Sequence, residues 1–197
     1  MIDLTYNADV RPDTGVTSQR LGMWLFLASE VMLFGSLFSS YALLRSGAAS
    51  WPDQSSIVNL PLAAANTVVL VASSGAILRA RAAVRAGDLA GFRRVMAVTA
   101  LLGMVFLAIK GFEYAGELGA GLLPSTSNFL GIYFVMTSLH ALHVAGGVAV
   151  NAFLAGPGVR AWTSERARFT GRVEAAALYW NFIDIVWVLM FVTLYVI

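Results

Sequence analysis

Five long, mainly apolar stretches run along this chain, separated by short segments rich in charge, glycine and proline. A helix needs roughly 20 apolar residues to cross the hydrocarbon core of a bilayer. Residues 21–44, 60–78, 95–112, 129–154 and 173–197 meet that requirement. None of them alternates apolar and polar positions as the strands of a membrane barrel do, so each predicts a helix. The expected fold is all-α, an integral membrane bundle of five transmembrane helices. Residues 1–20, which are polar and carry Asp3, Asp9, Arg11, Asp13 and Arg20, precede it. The apolar run after this segment is too long for the core of a secretion signal, so residues 1–20 read as a cytoplasmic lead-in.

Composition agrees with the pattern. The chain is 58% hydrophobic and 12% charged, against about a quarter charged residues in soluble domains. It has no cysteine, which removes disulfides, thiolate metal sites and cysteine nucleophiles from consideration. No glycine-rich phosphate loop is present, and nothing suggests a nucleic-acid partner. The net charge of +2 says little, but the placement of charge says more. Eleven of the thirteen Lys and Arg residues fall in the N-terminal segment, the second-to-third connection or the fourth-to-fifth connection. With five crossings these regions share one side, and the positive-inside rule makes that side the cytoplasm. The C-terminus is then expected outside, on the periplasmic face of a bacterial cytoplasmic membrane.

Ionisable groups in hydrocarbon need a partner or a task. At 1.5 Å per residue, Glu30 lies roughly 14 Å above the inner end of its helix, and His143 roughly 16 Å above that of the fourth. On the fifth, Asn181 and Asp184 lie about 12 and 16 Å above the inner end. These four side chains share a layer near mid-membrane, with His140 about one turn further out, and are expected to form one buried hydrogen-bonded network. A proton relay, a metal site or plain interhelical glue would each use such residues; glue is the commonest use. The i,i+3 pair His140 and His143 sits on one helix, without the Glu-x-x-His pairs on two helices that a carboxylate-bridged di-metal site needs, and no metal is assigned. Lys110, Glu113 and Glu117 fall on one face at the outer end of the third helix, the spacing of a local ion-pair ladder. Thr137, Ala141, Ala145 and Ala149 form a small-residue stripe that predicts a helix–helix contact.

Five ordered motifs then carry a resemblance. Phe26-Leu27-Ala28-Ser29-Glu30-Val31-Met32-Leu33-Phe34 resembles the first helix of the short subunit III chains of haem–copper respiratory oxidases. Asn66-Thr67 and Ala72-Ser73-Ser74-Gly75 look like their second helix, and Glu113-Tyr114 matches the Glu-Tyr after their third. Thr137-Ser138-Leu139-His140-Ala141-Leu142-His143-Val144 is similar to the family's Thr-Gly-x-His-x-x-His-Val signature. Trp180-Asn181-Phe182-Ile183-Asp184-Ile185-Val186-Trp187 is similar to its Trp-His-Phe-x-Asp-x-Val-Trp. The likeness covers nearly everything after residue 20. The chain departs from the family in three ways. The first two helices of the longer, seven-helix form are missing, Ser138 replaces the usual Gly, and Asn181 replaces the usual His, which removes any protonation role there.

The resemblance implies an accessory subunit of a proton-pumping cytochrome c oxidase, without redox centres of its own. Haem and copper would belong to subunits I and II. This chain would pack on subunit I, adjoin subunit II, hold structural phospholipids in a cleft, and support proton uptake into subunit I. Subunit IV and a respiratory supercomplex are further candidate partners. Glu30 matches the family's membrane-buried carboxylate, which reacts with hydrophobic carbodiimides. The equivalent subunit of a quinol oxidase, or of a nitric-oxide-reductase-associated complex, remains open. A small transporter fits less well, because the chain lacks paired broken helices.

Overall fold

The computed structural model of the chain describes residues 15–54 and 57–197. Most of the predicted N-terminal segment, residues 1–14, lies outside the described residues. The helices are α1 (Ser18–Gly47), α2 (Leu60–Ala86), α3 (Leu89–Gly119), α4 (Asn128–Ala155), the single turn α5 (Ala161–Ser164) and α6 (Arg166–Phe191). Among the described residues, five helices are long and apolar enough to cross a membrane: α1 to α4, and α6 continued through the wider turn Val192–Val196.

Each of α1 to α4 starts where a side chain satisfies a free backbone N–H. Thr17, Asn59, Asp88 and Ser127 each accept a hydrogen bond from the backbone N–H three residues on, at the starts of α1, α2, α3 and α4. Gly87 ends α2 at φ +84°, a left-handed conformation that glycine adopts without a Cβ penalty. The helices overrun the predicted spans. The segment 79–94 was expected to be a connection, yet α2 and α3 fill it except for Gly87 and Asp88. α3 continues to Gly119 and α6 begins at Arg166. Hydropathy marks hydrocarbon rather than helix, and an arginine extends the helix past the apolar layer while its head stays in water.

α2, α3, α4 and α6 form the packed body, with α2 against α3 and α6, and α4 against α3 and α6. α1 leans on α4 and α6 and presents Leu25, Val31, Met32 and Leu43 outward. The indole of Trp180, 1% exposed, sits at the middle of the body. A Cβ at Gly103 on α3 would lie 2.7 Å from its ring, and one at Gly147 on α4 also 2.7 Å. The two glycines form the slot that admits the ring. The predicted small-residue stripe makes a helix–helix contact only at its Thr137 end, where Thr137 is buried and shares a hydrogen bond with Tyr114 on α3; Ala145 and Ala149 are exposed, and α4 buries Val144, Gly147, Asn151 and Leu154 instead. A flat ring needs a position without Cβ facing it, and only Gly147 supplies one on α4.

Indole N–H groups tie α6 to α2. Trp180 Nε1 donates to Ser73 Oγ at 2.8 Å, and Trp187 Nε1 to Thr67 Oγ1 at 2.9 Å. Asn66 Nδ2 donates to the Phe106 carbonyl at 3.3 Å, joining α2 to α3. At the arginine-rich end, Arg85 Nε donates to Glu174 at 2.8 Å and Arg93 Nε to the Ala155 carbonyl at 3.1 Å. At the other end, the Tyr41 hydroxyl donates to the Thr193 carbonyl at 3.0 Å and accepts from Gln54 and Arg45. This pins α1 and the connection after it to the end of α6.

Candidate functional site

The expected single polar layer divides into separate groups. Glu30 on α1 meets His143 on α4, with Oε2 and Nε2 2.9 Å apart, and 11% and 15% of the two side chains exposed. The other ring nitrogen of His143, Nδ1, lies 2.8 Å from the Leu139 carbonyl. A carbonyl only accepts, so Nδ1 carries a hydrogen. Nε2 then has two options. It accepts a proton from a neutral Glu30 carboxyl, or it is protonated and donates to a Glu30 carboxylate. In both states the pair holds one transferable proton and no net charge. Its surroundings fix it in place: the edge of Phe34 meets the imidazole at 5.2 Å between ring centres, and the Tyr179 hydroxyl donates to the His143 carbonyl at 3.1 Å.

His140 turns elsewhere, into the body. It is fully buried, stacks on Trp187 at 5.2 Å and meets the edge of Phe106 at 5.5 Å. Neither ring nitrogen has a partner among the described residues. The i,i+3 spacing puts the two histidines on neighbouring directions of α4, but one faces α1 and the other α3 and α6. Among the described residues, no three His, Cys, Asp or Glu side chains converge as a metal site would require. Asp184 pairs with Ser74 on α2, whose hydroxyl donates to Oδ2, while Oδ1 is buried without a partner among the described residues. Asn181 is half-buried and bonds to none of these groups among the described residues. The side-chain pairs therefore run α1–α4 (Glu30–His143) and α2–α6 (Ser74–Asp184), and among the described residues no hydrogen bond joins the two pairs. Helix rotation decides which neighbour a side chain meets, and equal depth does not.

Residues 8–197 match the model of "Cytochrome c oxidase subunit III". A cytochrome c oxidase subunit 3 of Thermostichus vulcanus is 36% identical over 176 residues, covering 89% of this chain and 86% of the relative. A probable cytochrome c oxidase subunit 3 of Nocardia farcinica is 37% identical over 180 residues, with the same coverage of both. One from Synechocystis is 34% identical over 180 residues, covering 88% of this chain and 73% of the relative.

The chain belongs to the cytochrome c oxidase subunit III family. Homologous members are subunits of an oxidoreductase complex, and this chain is a multi-pass membrane protein of that family. Within the subunit III fold, the motif residues Glu30 and His143 form the pair described above, and Trp180 and Trp187 supply the indoles that join α6 to α2.

The helix-end group Lys110, Glu113 and Glu117 is also more than the expected surface ladder. All three are buried, and two tyrosines complete the cluster. Lys110 Nζ donates to Glu113 Oε2 at 2.9 Å, Tyr195 Oη at 2.9 Å and Tyr133 Oη at 3.2 Å. Sequence reasoning missed Tyr133 and Tyr195 here, and Ser74 beside Asp184. Tyr133 lies 20 residues from Glu113, and Tyr195 lies 82 away. No local spacing rule links positions so far apart. The usable signal was a lone lysine in an apolar helix, which demands partners from other helices.

Proposed function

We propose that this chain is the third subunit of a bacterial cytochrome c oxidase, an accessory subunit without redox centres that stabilises subunit I and supports its proton uptake. The observation that carries this reading is the family match over residues 8–197, which takes in all five spans. The chain sits in the cytoplasmic membrane with its N-terminus inside and its C-terminus on the periplasmic face. The arginines at one end of the bundle support that orientation. Haem and copper reside in subunits I and II.

The Glu30–His143 pair supports the proton role. Its donor and acceptor are already at hydrogen-bond distance, so a proton crosses without side-chain rearrangement and without leaving a net charge in hydrocarbon. A groove between α1, α4 and α6 of about 650 Å³ supports the lipid role. Met23, Phe26, Val150 and Phe153 line it, and Arg172 stands at its arginine-rich end. That arrangement suits an acyl chain with an anionic headgroup on the guanidinium. The outward apolar face of α1 offers subunit I or lipid a surface to pack on.

Purification in mild detergent, with mass spectrometry and a reduced-minus-oxidised optical spectrum, tests the reading. Co-purification with haem- and copper-bearing subunits is the expected result, and the haem bands then separate cytochrome c from quinol oxidases. A lone, colourless chain in several gentle detergents would overturn it. In the complex, Glu30→Gln is expected to leave oxygen reduction largely intact at low pH, where protons are plentiful, and to slow it as pH rises. Equal loss at every pH would show that the pair serves assembly alone.

A further inference from the structure

The cluster at the end of α3 has a proton inventory that can be counted. The Lys110 ammonium has three hydrogens, and three acceptors surround it: Glu113 Oε2, Tyr195 Oη and Tyr133 Oη. Each tyrosine then has one hydrogen left to give. Tyr195 gives its hydrogen to Glu113 Oε1 at 3.0 Å, and Tyr133 gives its to Glu117 Oε1 at 2.7 Å. Tyr133 Oη also lies 3.1 Å from Glu113 Oε1 and 3.0 Å from Tyr195 Oη, and the bond to Glu117 is the shortest of its three options. Glu113 accepts at both oxygens and matches the charge of Lys110. Glu117 is the second carboxyl against a single ammonium, so the cluster balances only with one more proton than Lys110 supplies. Glu117 is 7% exposed, and its Oε2 is buried without a partner among the described residues.

Glu117 also lines a cavity of about 240 Å³ between the start of α2 and the end of α3, with Asn59, Leu62, Gly116 and Ala120; Glu113 lines it too, but both of its oxygens already accept hydrogen bonds. Water occupies about 30 Å³ per molecule in the liquid, so several molecules fit. The cavity lies at the end of the bundle opposite the arginine-rich connections. A proton adds no heavy atom and cancels the surplus charge.

We propose that Glu117 is a proton-exchange site, whose carboxylate takes one proton from water in this cavity and returns it by the same route. The step is a plain protonation: the proton comes from the aqueous phase at that end, binds a carboxylate oxygen, and makes the cluster neutral. Lys110, Glu113, Tyr133 and Tyr195 are positioning residues: Tyr133 holds Oε1, and Oε2 is left without a partner among the described residues.

Infrared difference spectroscopy of the full chain in lipid, following a pH change and then deuterium exchange, tests this. A carbonyl band of a protonated carboxyl is expected to rise on acidification, to shift in deuterium oxide, to vanish in Glu117→Gln and to persist in Glu30→Gln. Ala120→Phe, which plugs the cavity, is expected to keep the band and slow its exchange. Persistence of the band in Glu117→Gln, or unchanged exchange in Ala120→Phe, overturns the proposal. The second variant leaves the cluster intact, so the test stands even if Glu117→Gln fails to fold. All readouts come from the chain itself, so their failure is separate from any failure of the oxidase assignment.

Discussion

Replacing Gly147 with alanine puts a methyl group where Trp180 already stands. An ideal Cβ there lies 2.7 Å from Trp180 Cζ3, 2.8 Å from Cε3 and 3.3 Å from Tyr179 Cε1. Carbon atoms pack best at about 3.5–4.0 Å, so the ring has to retreat by about 1 Å. It has nowhere to go. Gly103 blocks the ring on α3, Nε1 is bonded to Ser73, and the residue is 1% exposed. Overpacking of this kind costs about 1–3 kcal/mol. The adjacent Gly146 is the internal control, since a Cβ there meets only the Tyr179 hydroxyl, at 3.9 Å. Gly146→Ala is therefore expected to be neutral, or stabilising by up to about 1 kcal/mol from helix propensity. Equilibrium unfolding in mixed micelles, followed by circular dichroism, measures both. Combining Gly147→Ala with Trp180→Leu is expected to cost less than the sum of the two changes. Equal midpoints for Gly146→Ala and Gly147→Ala would refute the slot.

A double-mutant cycle on Glu30→Gln and His143→Ala should give a coupling of about 0.5–3 kcal/mol, while Glu30→Gln and Asp184→Asn should add within about 0.5 kcal/mol; coupling of Asp184 to Glu30 would restore the single network that the geometry divides. Lys110→Met is expected to cost about 3–5 kcal/mol, because it leaves the Glu113 carboxylate buried without its cation. Adding Glu113→Leu should recover most of that loss in the same unfolding assay. Asp88→Ala removes the side chain that accepts from the Gly91 N–H at 2.8 Å. The expected loss is about 1 kcal/mol, with faster amide exchange confined to the first turn of α3.

Much of this architecture was already determined by the sequence. A bilayer offers no hydrogen-bond partner to a bare backbone, so long apolar runs have one stable form, and the number and order of the helices follow. Glu30, His143, Asp184 and Lys110 were also legible as residues with something to explain, because a polar group in hydrocarbon is costly wherever its partner lies. Their pairings were not legible. Sequence fixes a residue's height along its helix, but the rotation of one helix against another is set by shape. Here that shape is the Trp180 ring lodged between Gly103 and Gly147. In the folded bundle His143 turns to Glu30 and His140 to Trp187, and Tyr133 and Tyr195 reach a lysine on another helix. The tertiary structure decided these meetings because side chains from distant parts of the chain share one small volume, and no rule of spacing within a single helix describes it.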